Sequence, residues 1–284
     1  MGDVVENRLL APSVHRLVVR APGLARKHRP GNFVMIRTSD DGERIPLTIA
    51  DKDVDAGTIT LVFQAVGRTT GELGALRPGD RVLDLVGPLG KPTHVEKFDG
   101  VTICVGGGIG VAPVHPIACA LQGAGNRVIS IIGARTEELL ILEKEMERAS
   151  DELWIATDDG SRGHRGFVTD LLRRAIEREG PENVALVMAI GPVPMMRACA
   201  KTTEPYGVRT EVSLNPIMVD ATGMCGGCRV SVGGETKFAC VDGPEFDGHK
   251  VDFDELTARL RMYREDEKRA MEIWGERCST RTCH

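Results

Sequence analysis

The residues best suited to chemistry are three cysteines within sixteen positions, Cys225, Cys228 and Cys240, preceded by Asp220. The segment reads D-x4-C-x2-C-x11-C. Thiolates are soft ligands for iron–sulfur clusters, zinc or copper(I), and plant-type [2Fe-2S] centres use C-x4-C-x2-C with a distant fourth cysteine. We predict a [2Fe-2S] cluster bound by Asp220, Cys225, Cys228 and Cys240. A structural zinc site is the alternative, and a C-x2-C pair by itself also fits thiol redox chemistry.

Glycines 223, 226 and 227 lie among these cysteines. They permit the positive φ values that a loop around a metal centre needs. Residues 228–240 predict a β-hairpin over a Gly-Gly turn, and this hairpin would return Cys240 to the side of Cys228. The arrangement suits a compact cluster loop, and it also suits half of a zinc ribbon.

No other cysteine or histidine forms a ligand pattern. Cys104, Cys119 and Cys199 lie in apolar segments and are interpreted as small core residues. Cys278 and Cys283 lie in the tail with no ligand pattern nearby. The seven histidines are scattered, without H-x3-H or H-E-x-x-H. No general acid, base or nucleophile stands out, so no catalytic residue is predicted.

Composition narrows the class of protein. The 284 residues suffice for two domains, and the net charge of −5 argues against nucleic acid as a partner. No apolar run reaches the roughly 18 residues of a membrane span. The N-terminus lacks the basic and apolar regions of a secretory signal. Clustered cysteines without such a signal favour the reducing cytosol and metal binding, so we expect a cytoplasmic protein.

Residues 1–96 predict a small antiparallel β-barrel, because short strands alternate with Pro and Gly turns. The predicted strands are 14–19, 33–36, 58–63 and 81–86. Residues 67–73 predict a short helix after a strand. Its first amides, with the hydroxyls of Thr69 and Thr70 and the charge of Arg68, suit a phosphate. Threonine capping of a surface helix is the alternative.

Residues 97–212 predict an α/β domain with a five-stranded parallel sheet, because strand and helix patterns alternate. The predicted strands are 101–105, 127–132, 153–157, 184–190 and 209–214, and the predicted helices end near 123 or span 137–149, 166–178 and 194–203. Glycine-rich turns follow the strands at the edge where such sheets bind ligands. Residues 106–110 are thus expected to present amides to a pyrophosphate, although such glycines can be purely structural.

Asp158 and Asp159 lie where a nucleotide ribose would be bound. Carboxylates accept hydrogen bonds from ribose hydroxyls and repel a 2′-phosphate, which favours NAD(H) over NADP(H). Arg135 weakens this preference, and a solvated turn is the alternative for both aspartates. Residues 213–251 are expected to form the cluster lobe, and residues 252–284 a C-terminal helix and tail. The predicted buried side of that helix consists of Leu256, Leu260, Tyr263, Met271 and Trp274.

The barrel, the α/β domain and the cluster lobe, in this order, resemble the ferredoxin–NADP reductase superfamily. More narrowly, they resemble the dihydroorotate dehydrogenase electron-transfer subunit and the sulfide dehydrogenase beta subunit. The latter family includes the small subunit of electron-bifurcating NADH-dependent reduced ferredoxin:NADP oxidoreductases. The motifs that carry the resemblance are residues 44–51, 106–113 and 191–196 and the D-x4-C-x2-C-x11-C segment.

The superfamily's R-x-Y-S flavin motif aligns here on Pro46. Leu47 and Thr48 take the places of the aromatic residue and the serine, while Ile45 occupies the arginine position and Arg44 lies one residue earlier. The superfamily's C-G-P appears as residues 190–192, with isoleucine in place of cysteine. The resemblance implies that FAD contacts Arg44, Ile45, Pro46, Leu47, Thr48, Val62, Phe63, Gln64, Thr69 and Thr70. The predicted nucleotide contacts are Gly106, Gly107, Gly108, Gly110, Pro113, Arg135, Asp158, Asp159, Gly191, Pro192 and Met195.

The resemblance implies that hydride passes from NAD(H) to FAD and that electrons then pass singly through the cluster to a second chain. The implied partner is a larger subunit with flavin and [4Fe-4S] clusters, through which ferredoxin is reached indirectly. Asp220 at the first ligand position resembles the bifurcating small subunit. Two alternatives remain: an electron-transfer subunit of a dihydroorotate or sulfide/polysulfide dehydrogenase, and a nucleotide-binding regulatory protein with structural zinc.

Overall fold

The computed structural model describes residues 2–40 and 42–280. The strands of the first third are β1 (Gly2–Ala11), β2 (Val14–Arg20), β3 (Phe33–Arg37), β4 (Ile45–Asp53), β5 (Thr58–Gln64), β6 (Arg81–Val82) and β7 (Asp84–Leu89). Those of the remainder are β8 (Val101–Gly107), β9 (Arg127–Ala134), β10 (Glu152–Thr157), β11 (His164–Arg165), β12 (Val184–Ile190), β13 (Thr210–Ser213), β14 (Arg229–Val232), β15 (Glu235–Phe238) and β16 (Glu245–Asp247). The helices are α1 (Pro22–Lys27), α2 (Arg68–Ala75), α3 (Val111–Gly123), α4 (Glu143–Arg148), α5 (Val168–Glu179), α6 (Val193–Thr203), α7 (Phe253–Leu260) and α8 (Arg264–Thr280).

The first seven strands form the predicted antiparallel barrel, in the order β6-β1-β2-β5-β4-β3-β7. Its two edge strands are consecutive in sequence, since Leu83 alone separates β6 from β7. The amide of Leu83 donates to the carbonyl of Arg37 at 3.0 Å. The predicted strand 81–86 is therefore divided between the two edges, and the barrel is nearly closed. Its interior is filled by inward-facing side chains, including Leu17, Ile49 and Phe63.

The second sheet has the order β11-β10-β9-β8-β12-β13-β16. The five predicted strands are β8, β9, β10, β12 and β13, and they pair in parallel as predicted. β8 lies near the centre and is buried throughout, which explains its unbroken apolar sequence. Two short strands that the sequence did not indicate, β11 and β16, extend the edges, and β16 runs antiparallel to β13.

The predicted helix 137–149 is helical as α4 only in its second half. Leu142 precedes α4 with a φ of 56°, in the left-handed region that residues other than glycine rarely adopt. The helical pattern of residues 137–141 is therefore interrupted before α4 begins. The helices α3, α5 and α6 match the other three predictions closely.

The cluster lobe contains the predicted hairpin, β14 and β15, whose register brings Arg229 opposite Phe238. The predicted C-terminal helix is two helices, separated by residues 261–263. Tyr263, predicted to be buried, is 49% exposed.

α8 reaches back to the barrel and packs on α2. A Cβ on Gly71 would lie 2.7 Å from Cη2 of Trp274, so the indole occupies the space beside this glycine. Cys283 lies outside the described residues, as does the side chain of Cys278. No helix within the described part of the chain is long and apolar enough to cross a membrane.

Candidate functional site

Two clefts lie between the barrel and the parallel sheet. The barrel cleft has a volume of about 330 Å³ and the sheet cleft about 350 Å³. Both are lined by Gln64, Ile109 and Pro192, so the clefts meet at these three residues. Two flat ligands bound in the clefts would thus come together there, at the carboxyl ends of β5, β8 and β12.

The barrel cleft is built on neighbouring strands. Leu47 and Thr48 lie on β4, paired with Val34 and Phe33 of β3, and β5 supplies Val62 and Phe63. The lining is apolar with a few polar groups, as is typical of cofactor sites. The predicted residues that line this cleft are Pro46, Leu47, Thr48, Val62, Phe63, Gln64, Thr70, Gly110, Pro113, Gly191 and Pro192.

The sheet cleft lies beyond the carboxyl ends of β8, β9 and β10, where doubly wound sheets bind their ligands. The predicted residues that line it are Gln64, Gly107, Gly108, Arg135, Asp158, Pro192 and Met195. Gly108 has a φ of 54°, and a Cβ there would meet no atom within 4 Å. Its backbone is therefore open to a ligand, as an amide loop for a diphosphate must be.

Two other glycines of this loop are required by packing. A Cβ on Gly107 would lie 2.2 Å from Sδ of Met195, and one on Gly110 would lie 2.2 Å from the carbonyl oxygen of Ile190. The loop is therefore pressed against the turn that follows β12. Packing therefore explains Gly107 and Gly110, and the same contacts keep the open backbone of Gly108 in place; its contact with a diphosphate stays a prediction.

Thr70 caps α2 and also lines the barrel cleft. Its hydroxyl accepts from the amide of Gly67 at 2.9 Å and caps α2, and the same side chain lines the barrel cleft. Arg68 bonds Glu72 at 2.9 Å, and Thr38 donates to the same carboxylate at 2.5 Å. The start of α2 is thus held rigidly beside the cleft.

The structure places the other predicted contacts away from the cleft linings. Arg44 pairs with Asp84 at 3.1 Å, and Thr69 is buried. Ile45 packs against the barrel core, and Gly106 lies beneath α3, where a Cβ would be 3.0 Å from Val111. Asp159 accepts from the hydroxyl of Ser161 at 2.6 Å, which holds the pKa of its carboxyl below the usual value.

Several residues of the clefts were not predicted. Residues 213–215, at the end of β13 and directly after it, line the barrel cleft, and the rule that ligands bind beyond strand ends could have indicated them. Phe167 lines the sheet cleft although it is 64% exposed. Met218 and Pro244 have no sequence signal, because their positions depend on the return of the cluster lobe to the sheet.

The cysteine loop brings two of its thiols into contact. Sγ of Cys228 and Sγ of Cys240 are 3.2 Å apart, and both residues are buried. Cys225 is exposed, and its amide donates to Oδ2 of Asp220 at 3.2 Å. Gly223 and Gly226 have φ values of 82° and 67°, as the wrapped loop requires.

This donor set fits an iron–sulfur cluster. The residues fall into two pairs, Cys228 with Cys240 and Asp220 with Cys225, as two irons with two protein ligands each would need. Within the described ranges, no three His, Cys, Asp or Glu side chains converge as for a single metal ion. Three thiols in one short loop match the preference of iron–sulfur clusters for soft ligands.

Comparisons with known proteins agree with this architecture. The iron–sulfur cluster binding domain of dihydroorotate dehydrogenase B matches residues 215–252, and the oxidoreductase NAD-binding domain matches residues 104–201. The dihydroorotate dehydrogenase B (NAD(+)) electron transfer subunit homolog of Thermotoga maritima is 46% identical over 268 residues, which is 94% of this chain and 93% of that protein. The chain belongs to this family of electron-transfer subunits.

Other members of the electron-transfer subunit family extend the comparison. The corresponding subunit of Geobacillus thermodenitrificans is 34% identical over 256 residues, covering 87% of this chain and 96% of that protein. A chain of the solved NADH-dependent reduced ferredoxin-NADP oxidoreductase is 45% identical, with a TM-score of 0.90 and coverage of 96% and 98%. The chain is therefore an oxidoreductase subunit that transfers electrons with NAD, FAD and an iron–sulfur cluster.

Proposed function

We propose that this electron-transfer subunit is the NAD(H)-side half of an electron-bifurcating NADH-dependent reduced ferredoxin:NADP oxidoreductase. The observation that carries the proposal is the meeting of the two clefts at Gln64, Ile109 and Pro192. FAD occupies the barrel cleft and NAD(H) the sheet cleft, so the nicotinamide and the flavin ring meet at that junction. Hydride transfer needs reacting atoms within about 3–3.5 Å, and the shared lining supplies such an approach.

The residues of the chain bind and orient. Leu47 and Thr48 hold one side of the flavin ring, and the amides around Gly108 hold the diphosphate of NAD(H). When bound, FAD accepts a hydride and gives up electrons one at a time. Gly191 and Pro192 border the junction on the β12 side; Met195 packs against Gly191, and its amide donates to the carbonyl of Pro192 at 2.9 Å, which fixes this turn.

The cluster lobe provides the exit for electrons. Cys228 and Cys240 would hold one iron, and Asp220 and Cys225 the other. Met218 lines the barrel cleft and packs in the same apolar core as Cys228 and Cys240. Met218 thus links the lining of the proposed flavin site to the apolar core that contains two of the proposed cluster ligands.

Nothing in the described residues supplies a second flavin site or further cysteine loops, so bifurcation requires a partner. We propose a larger flavin/[4Fe-4S] subunit in a cytoplasmic complex, through which ferredoxin is reached. The division into residues 1–96, 97–212, 213–251 and 252–284 is part of this proposal. Co-purification tests it: a partner with [4Fe-4S] clusters supports bifurcation, whereas a dihydroorotate-oxidising partner would contradict it.

Asp158 is expected to set the preference for NAD(H). Replacing Asp158 with asparagine removes a charged hydrogen-bond acceptor for ribose, worth about 1.5–3 kcal/mol, and also removes repulsion of a 2′-phosphate. We expect KM for NADH to rise about 10- to 100-fold while use of NADPH improves. Steady-state flavin reduction with both nucleotides measures this. Asp159→Asn is the matched control, because Asp159 is engaged by Ser161; an equal effect of both changes would contradict the assignment.

Asp220→Cys tests the carboxylate ligand. A thiolate is a softer donor than a carboxylate, so the variant is expected to keep its iron while its visible and EPR spectra and its cluster potential change. Anaerobic spectroscopy and redox titration measure these quantities. Asp55→Cys, a change of the same kind at an exposed residue between β4 and β5, serves as control and should leave them unaltered. An Asp220→Cys cluster identical to wild type would show that Asp220 is not a ligand.

A further inference from the structure

Glu245 lies where three parts of the chain meet. On β16 it pairs with Ser213 of β13, and it follows Pro244, which lines the barrel cleft. The hydroxyl of Thr93, in the linker between barrel and sheet, donates to its Oε1 at 2.6 Å. A Cβ on Gly31 of the barrel would lie 3.0 Å from the same oxygen. The carboxyl is therefore largely covered by the linker and the barrel, and its sequence neighbour Pro244 and its strand partner Ser213 both line the barrel cleft.

This carboxyl has no positive partner. No Lys, Arg or His forms an ion pair with Glu245 in the part of the chain that the structure describes. Burial raises the pKa of Glu245 to about 7, the hydrogen bond from Thr93 opposes the rise, and the charge of Glu211 adds to it. Both protonation states of Glu245 are thus accessible at neutral pH.

The charged groups around Glu245 are few. On β13, Glu211 lies two residues before Ser213, on the same face of the strand, and is paired with Arg209. On β16, Asp247 is paired with Lys250 at 3.0 Å. In the linker, Lys91 has an exposed side chain, and its amide donates to the carbonyl of Gly243. On β8, the thiol of Cys104 is fully buried, and burial raises its pKa to about 12, so it stays neutral.

We propose that Glu245 takes up a proton when negative charge enters the barrel cleft and releases it when that charge leaves. The inference rests on the flavin site proposed above. In the forward step, a hydride from NADH brings two electrons and one proton into the cleft, a net gain of one negative charge; solvent loses one proton, and an O–H bond forms on the carboxyl oxygen that Thr93 does not contact. In the reverse step, the two electrons leave one at a time towards the cluster, the hydride's proton leaves the cleft, the O–H bond of the carboxyl breaks, and both protons return to solvent.

The direction of the pH effect follows from these charges. Below pH 7, Glu245 is already protonated and takes up nothing when the cleft is reduced. Just above pH 7, it is ionised before reduction and gains a proton on reduction, because added negative charge raises the pKa of a carboxyl; well above that raised pKa it stays ionised in both states. The midpoint potential of the bound flavin should therefore fall more steeply above pH 7 than it would without Glu245.

The experiment is an anaerobic redox titration of the bound flavin over a pH range on both sides of 7, in wild type and Glu245→Gln. Glutamine mimics the protonated carboxyl, so the two potentials should coincide at low pH, and that of wild type should be lower at high pH. A purely structural role would displace the potential equally at every pH. Parallel curves would overturn the proposal.

Two further variants should move, in opposite directions, the pH at which the flavin potential begins to fall more steeply. Thr93→Val removes a hydrogen bond that lowers the pKa of Glu245, so the steeper region should begin at higher pH. Glu211→Gln removes a charge that raises this pKa, so it should begin at lower pH. Onsets that do not move, or that move together, would overturn the assignment to Glu245.

An infrared band of a protonated carboxyl that grows on reduction, and that is missing in Glu245→Gln, provides a readout independent of turnover. Failure of this inference differs from failure of the proposed function. A chain that binds no flavin would contradict the function. A flavin with the same pH dependence in wild type and Glu245→Gln would contradict the role of Glu245 alone.

Discussion

Cys240→Ala is expected to abolish the iron–sulfur cluster and to leave the flavin in place. Cys240 is the ligand that the hairpin of β14 and β15 returns to Cys228, with their sulfurs 3.2 Å apart. Loss of even an outer-shell partner of a metal ligand costs about 10- to 100-fold in metal affinity, so loss of a ligand should cost at least as much. Electron delivery beyond the flavin should fall about 100-fold or more, while NADH still reduces the flavin.

Iron content, the EPR signal of the reduced cluster and stopped-flow flavin reduction measure these effects. Because metal binding contributes folding energy, the thermal midpoint of the variant should also fall. Cys199→Ala is the matched control. Cys199 is a buried cysteine on α6, so its loss should cost about 1 kcal/mol of packing and no iron. A Cys240→Ala chain that retains its cluster would contradict the ligand assignment.

Gly110→Ala is expected to disable the junction of the two clefts. The added Cβ would lie 2.2 Å from the carbonyl oxygen of Ile190 and 2.7 Å from Cα of Gly191, and backbone atoms cannot move aside as a flexible side chain does. Overpacking of this kind costs about 1–3 kcal/mol. The strain falls on the turn that carries Pro192, so the nicotinamide and flavin sites should separate.

A displacement of about 1 Å at a reacting centre lowers rates by about 100-fold, and this is the decrease we expect in the rate of flavin reduction by NADH. Stopped-flow kinetics measures the rate, and flavin content and thermal unfolding measure the accompanying strain. Gly123→Ala is the control on the same helix. A Cβ there meets no atom within 4 Å, so helix propensity should stabilise the chain by about 0.5–1 kcal/mol. Equal rates in the two variants would contradict the role of Gly110.

The architecture could be predicted because the local sequence patterns match the strands and helices of the fold. The five parallel strands are apolar runs that end in glycine-rich turns, and such runs arise from burial on both faces. β11 and β16 could not be predicted, since two or three residues carry no periodicity. The first half of the predicted helix 137–149 fails at Leu142, whose left-handed conformation leaves no mark in the residue type.

The candidate site likewise contains residues that the sequence could predict and residues that it could not. Residues 46–48 could be found because they align with the superfamily's flavin motif, and the glycine loop because small residues are required where backbone segments approach closely. The resemblance places Arg44 at the FAD, and the structure adds a partner that the sequence did not indicate, Asp84, forty positions away; the FAD contact of Arg44 stays a prediction. Glu245 gave no signal at all. Its environment is made by Thr93 and Gly31, and only the tertiary fold brings these residues together.

The pairing of β13 with β16 has a consequence for how such subunits diversify. The excursion that holds the cysteines leaves the sheet after Ser213 and returns at Glu245, and these residues are direct neighbours across the ladder. A segment whose two ends are adjacent in the sheet can be exchanged, lengthened or replaced by a tight turn without changing the topology of the nucleotide domain. Ser213 and Glu245 are therefore natural junctions at which this segment could be replaced by another redox module.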